Sequence, residues 1–302
     1  MNRLYAYLYD DFLSDRSFEK TLANIETRVS VLGIQGRIAR LAIFRSPREL
    51  VQGLVREGAE TIVVVGNDRT LQKTMWFLPD LPVTVGYIPV SEPCRIADIL
   101  GIPFGEAACD VLAARRIECL DVGRLNDRYF LTECRIESTR ACVDIEGRFR
   151  ISPQRLGNII IRNLGTPSSY GTSSANAADG WLEIIIQPLA IEAKKHRFPF
   201  FSDPEPPRPE TALLLQEGMI FSDDPVDIVI DGQKLNGFSF SFGITPKRLK
   251  FITSRNRRLL PRDADLKKTA NLGTFTRARG DGGLHIFPGT GGGTGIRASL
   301  RC

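Results

Sequence analysis

Five residues, Gly66-Asn67-Asp68-Arg69-Thr70, stand between an apolar run at Thr61–Val65 and a stretch of helical spacing that continues through Met75. A strand, a polar turn opening on glycine and then a helix is the build of a phosphate-binding turn. The N–H groups at the helix start point at the anion, and the helix dipole favours negative charge there. Glycine lets the backbone approach a phosphate and take positive φ. Such turns usually hold two or three glycines, and here there is one. Asn67 tolerates left-handed backbone. If the position of Arg69 demands positive φ, a side chain there costs roughly 1–2 kcal/mol, and its cation opposes the helix dipole. Two readings stay open: Arg69 clamps a phosphate, or Asp68 caps the helix while Arg69 points to solvent.

Other stretches suggest chemistry less strongly. "PGTGGGTG" at Pro288–Gly295 looks like a nucleotide loop, but only seven residues follow it, so no helix can open there as a dinucleotide fingerprint requires. No Lys-Ser/Thr pair follows to make a P-loop. The six cysteines form no CxxC pair and the chain has two histidines, so no zinc site is expected. Lys194, Lys195, His196 and Arg197 precede Phe198, Phe200 and Phe201. Basic residues beside aromatic ones could dock on anionic lipid, or could form an ordinary solvated loop.

The elements that must position these residues alternate in the first third. Arg3–Asp10 reads as a strand, followed by a helix capped by Ser17 with Phe18, Leu22 and Ile25 on one face. Arg37–Phe44 is a second strand, and Ser46-Pro47 opens a helix to about Ala59. Thr61–Val65 is the third strand and Val83–Val90 the fourth, with short helices predicted at Arg95–Leu100 and Glu106–Arg115. Near-continuous apolar strands between helices predict a parallel sheet covered on both faces. After Arg116 the pattern alternates and turns at Asn126-Asp127, a hairpin signature. The expected class is therefore α/β plus all-β: a three-layer α/β domain over 1–115, then a mostly antiparallel β-sandwich over 116–253. Pro204, Pro206, Pro207 and Pro209 exclude regular structure in Lys194–Glu210, and "ETALLLQEG" is predicted as a short helix. Residues 254–302, rich in Gly and Arg, are expected to be a disordered basic tail.

Charge supports that division. The chain is +5 overall, yet the residues from Thr253 onward carry +7 and the rest −2. The folded body is not basic, so nucleic acid is not an expected partner. No apolar run approaches the roughly 20 residues that span a bilayer, and the N-terminus lacks the pattern of a signal peptide. Reduced cysteines in a cytoplasmic protein are the expectation.

Four landmarks in order give the chain from Met1 to about Thr253 a resemblance to the diacylglycerol kinase catalytic-domain family, in its bacterial lipid-kinase-like branch, whose fold is NAD-kinase-like. Its nucleotide loop reads Gly-Gly-Asp-Gly-Thr, where this chain has Gly66-Asn67-Asp68-Arg69-Thr70. Its next strand ends in Pro-Leu-Gly-Thr-x-Asn-Asp, where this chain has Pro89-Val90-Ser91-Glu92-Pro93-Cys94-Arg95. Asp179-Gly180 matches a family Asp-Gly, and Ile228–Gln233 matches Val-Asp-Gly-Glu. The resemblance implies ATP and Mg2+ as cofactors, bound by Gly66, Asn67, Asp68, Arg69, Thr70 and Ser91, and a lipid hydroxyl as acceptor. It names no metal ligand that survives here. The acid that would serve as general base is Gln233, and a carboxamide cannot take that proton. Asp231 is the candidate to replace it, with a turn residue as its other reading. Glu92 sets negative charge beside a polyphosphate, and Pro93 removes a backbone donor. The expectation is a non-catalytic nucleotide- or lipid-binding descendant. The alternatives are an active ATP-dependent kinase of a lipid or similar hydroxyl, and a module peripheral to anionic membrane through Lys194–Phe201 and the tail.

Overall fold

The computed structural model describes residues 4–41, 46–153, 156–165, 175–189, 211–258 and 284–288. The N-terminal part runs β1 (Tyr5–Asp10), α1 (Glu19–Val31), β2 (Gly36–Leu41), α2 (Pro47–Arg56), β3 (Thr61–Gly66), α3 (Asp68–Met75), β4 (Thr84–Pro89), α4 (Arg95–Leu100) and α5 (Ala108–Ala114). Its four strands are parallel in the order β2-β1-β3-β4. Every residue of β1, β3 and β4 is buried. Helices cover both faces, so neither face needs the polar alternation of a half-wet sheet. β2 is the edge strand, and it is largely exposed and carries Arg37 and Arg40. Charge on an edge discourages pairing with other chains.

The helices form where the apolar spacing places them. α1 buries Leu22, Ile25 and Val29. α2 starts at Pro47, with the Ser46 hydroxyl accepting from the Glu49 amide, and buries Val51 and Leu54. The expected cap at Ser17 is not found. Asp15 instead accepts the Ser17 amide and opens a 3-10 turn that leads into α1.

After α5 the pairing becomes antiparallel. β5 (Ile117–Leu125) and β6 (Arg128–Phe130) flank the turn at Asn126-Asp127, with Asn126 at φ 51°. Then come β7 (Glu133–Thr139), β8 (Cys142–Ile145), β9 (Phe149–Pro153), β10 (Gly157–Arg162), β11 (Leu182–Pro188), β12 (Thr211–Leu215), β13 (Glu217–Ile230) and β14 (Gln233–Ile252). Their inward side chains, among them Ile136, Ile161, Ile184, Ile228 and Phe240, form a second core. Asp231-Gly232, both at positive φ, turns β13 into β14. β14 begins against β13, continues against β5 and ends parallel to β4. One strand thus belongs to both parts, and the sheet runs unbroken through them.

One further expectation changes. The predicted helix at "ETALLLQEG" is strand β12 and the start of β13. The short run Thr-Ala-Leu-Leu-Leu pairs with β11 from Ile186↔Thr211 to Leu182↔Leu215. A short apolar run fits either element, and here a partner strand decides. Within the stretch expected to lack structure, β15 (Leu284–Pro288) pairs antiparallel with β9. Ser254 and Arg258 also bond to the carbonyls of Leu100 and Ile99. Lys194–Glu210 and the rest of the tail lie outside the described residues.

Candidate functional site

Strand order reverses between β1 and β3, because β2 lies on one side of β1 while β3 and β4 lie on the other. Open α/β sheets bind ligands in the crevice at the carboxyl ends of the strands flanking such a point. Those ends are Asp10 and Gly66, so Gly66–Thr70 stands where the fold favours a ligand.

The loop is built as a tight helix cap. Asn67 has extended backbone, and its side chain accepts the Thr70 amide at 3.2 Å. The Thr70 hydroxyl accepts the Asn67 amide in return at 3.1 Å. This reciprocal pair is a capping box. The cap is therefore Asn67 and not Asp68, which is the first residue of the helix. Gly66 is required because a Cβ there would lie 2.3 Å from Thr70 Oγ1. Arg69 is exposed, on helical backbone of ordinary φ. The strain attached to positive φ does not arise.

Asp68 turns inward to the second loop. Its carboxylate accepts the Ile96 amide at 3.2 Å and the Tyr87 hydroxyl at 3.3 Å. Burial pushes its carboxyl up to about 6, against the pull of those donors. The two loops are also tied by Asp68 N to Pro93 O at 2.8 Å and Asn67 Nδ2 to Glu92 O at 3.2 Å. In the second loop Ser91 is half-buried, its hydroxyl 3.5 Å from Glu92 O. The Glu92 carboxylate accepts the Cys94 amide and thiol. Burial and that carboxylate push the Cys94 thiol up to about 12, so it stays protonated at neutral pH. Arg95 is exposed at the start of α4.

Asp231 is 7% exposed. Its carboxylate accepts the amides of Leu131 at 2.7 Å, Thr132 at 3.1 Å and Glu133 at 3.2 Å, and the Thr132 hydroxyl. Burial raises its carboxyl above the usual carboxylate range while these donors pull the other way. Thr132 Oγ1 also accepts from Gln72 Nε2 on α3 at 3.0 Å, which links this turn to the helix of the first loop. Gln233 Oε1 accepts from Arg128 at 3.4 Å. Asp179 accepts the Trp181 amide at 3.0 Å.

Three residues that sequence reasoning passed over complete the site. Asp10 ends β1 and accepts the Thr70 hydroxyl at 2.6 Å, with Lys73 Nζ at 3.7 Å. Thr132 holds Asp231 to Gln72. Asp121 on β5 is 2% exposed and accepts the amides of Gly180 and Lys247, each at 2.7 Å. An acid at the carboxyl end of the first strand was a visible signal for Asp10, but its contact with Thr70 required the strand order.

ATP phosphates and Mg2+ do not fit this loop as it stands. The amides of Asn67, Asp68 and Thr70 all bond to acceptors inside the protein, and Asp10, Asp68 and Glu92 set carboxylates around them. Among the described residues no group of three or more His, Cys, Asp or Glu side chains is placed to hold a metal ion.

The chain's parallel sheet and antiparallel lobe together are similar in fold to solved diacylglycerol kinase structures. A diacylglycerol kinase from Bacillus anthracis str. Sterne superposes with a TM-score of 0.65 at 15% identity, over 84% of this chain and 98% of that one. A putative diacylglycerol kinase from the same organism gives 0.65 at 13% identity, covering 84% and 97%. Another gives 0.63 at 14%, covering 84% and 98%. No protein-family model and no curated protein matches the chain. At these identities the likeness establishes the fold. No described helix is long and apolar enough to cross a membrane.

Proposed function

We propose that this is a non-catalytic protein of the diacylglycerol-kinase-like fold, binding a lipid or a nucleotide without transferring phosphate. One observation carries the reading: three N–H groups of the loop, those of Asn67, Asp68 and Thr70, are already bonded within the protein. Phosphoryl transfer depends almost wholly on positioning and electrostatic stabilisation, and each 1.36 kcal/mol of lost stabilisation is about tenfold in rate. The site of the would-be base supports the same reading. Asp231 receives four hydrogen bonds from the chain it packs on, and Gln233 cannot accept a proton.

The test is direct. Purified protein given Mg2+-ATP and a mixed panel of diacylglycerols and related lipid alcohols should yield no phosphorylated product. Sustained turnover above a no-enzyme control overturns the proposal and favours an active lipid kinase with rearranged ligands.

A further inference from the structure

We propose that the Asp10 side chain holds the Gly66–Thr70 loop closed, so that the loop takes a polyphosphate only once this carboxylate is replaced by an uncharged side chain. The inference rests on the reading above and names what keeps the loop from its ligand.

Thr70 Oγ1 carries a single proton, and two oxygens lie within reach of it: Asp10 Oδ2 at 2.6 Å and Asn67 Oδ1 at 3.3 Å. The shorter contact is in the range of a hydroxyl donating to an ionised carboxylate, the stronger kind of hydrogen bond. Thr70 Oγ1 also accepts the Asn67 amide at 3.1 Å, and Asn67 Oδ1 accepts the Thr70 amide. Asp10 thereby sets which way the Thr70 hydroxyl proton points and ties the capping box to the end of β1.

Position adds to the effect. Asp10 lies at the carboxyl end of β1 and Gly66 at that of β3, so the carboxylate flanks the crevice where the fold favours a ligand. Asp10 is 6% exposed. Its other bonds are local: Oδ1 accepts the Asp11 amide at 2.7 Å, and Lys73, itself largely exposed, reaches Oδ2 at 3.7 Å. Asp68 and Glu92 add negative charge to the two loops, and Arg69 and Arg95 are exposed cations at the two helix starts. A polyphosphate entering here meets a fixed carboxylate in a poorly hydrated place, where like charges repel more strongly than in water. An acid at the end of the first strand thus does the work of an occupant.

The experiment compares four proteins by thermal unfolding with inorganic pyrophosphate and Mg2+-ATP titrated to millimolar concentration. They are the wild type, Asp10→Asn, Asp10→Ser and Asp11→Asn. A ligand specific to the native state raises the midpoint in proportion to its occupancy. Asp10→Asn should bind pyrophosphate at least about tenfold more tightly than wild type, equivalent to about 1.4 kcal/mol. Asp11→Asn removes the same charge one residue away from an exposed side chain and should match wild type. If Asp10→Asn shows no cooperative transition of its own, Asp10→Ser carries the comparison. Equal affinity across all four proteins overturns the proposal, and so does an equal gain in Asp11→Asn, which would reduce the effect to net charge. Lipid phosphorylation by the wild type would sink the non-catalytic reading. A wild type that is inert, with no gain at Asp10→Asn, would sink this inference alone.

Discussion

Asp68, the acid of the loop between β3 and α3, is buried and joins two loops through the Ile96 amide and the Tyr87 hydroxyl. Its carboxyl is raised from 3.8 to about 6, chiefly by desolvation. An acid with a raised folded pKa binds its proton more tightly when folded. The stability it adds is full below about pH 3.8 and is lost as pH rises through about 6. The loss is bounded at the order of 3 kcal/mol, from 1.36 kcal/mol per unit. Asp68→Asn keeps an oxygen for the Ile96 amide and removes the titration. Urea unfolding midpoints should therefore change less between pH 4 and pH 7 in the variant than in wild type. At pH 7 the variant should be at least as stable. The residue types of this site were legible in the sequence, but their orientations were not. Nothing in Gly66–Thr70 itself tells whether its donors face a ligand or each other, because the deciding partner, Asp10, lies 60 positions away.

At the scale of elements, the turn between β3 and α3 is held by packing as much as by hydrogen bonds. Gly66 touches Thr70 so closely that an added Cβ would displace the hydroxyl around which the capping box is built. Gly66→Ala should break that box and release Asp10 together. Loss of a helix cap costs about 1 kcal/mol, and a buried polar group left without a partner costs about 1–3 kcal/mol. A destabilisation of about 2–4 kcal/mol in denaturant unfolding is expected. A change under half a kcal/mol would show that the turn adjusts freely. The alternation of strand and helix through residue 115 was readable because fully buried parallel strands and one-faced helices leave distinct patterns. β12 was misread because five residues of Thr, Ala and Leu carry no period long enough to choose between helix and strand, and the choice fell to β11 beside it.

Across the whole molecule, Asp121 and β14 hold the two lobes together. Asp121 accepts one amide from Gly180 in the antiparallel lobe and one from Lys247 at the bend of β14, while its own amide bonds to Ala177 O at 2.6 Å. Asp121→Ala leaves the part-buried Gly180 and Lys247 amides without their acceptor. It should cost about 1–3 kcal/mol, the penalty of one fully buried group, and Asp121→Asn should cost less, as seen in urea midpoints. This role was not legible in the sequence, because the partners arrive 59 and 126 positions later. The same long reach shapes how the chain must be made. β4 finds one neighbour in β3 at once, but its other edge is met at Thr84 and Val85 only by Lys250 and Phe251. At ribosomal speeds of about 5–20 residues per second, that edge waits roughly ten to thirty seconds for its partner to be synthesised. Throughout that interval the nascent chain carries an apolar strand with an unpaired rim, so the protein's yield in a cell should depend on translation rate and on whatever shields the rim until β14 arrives.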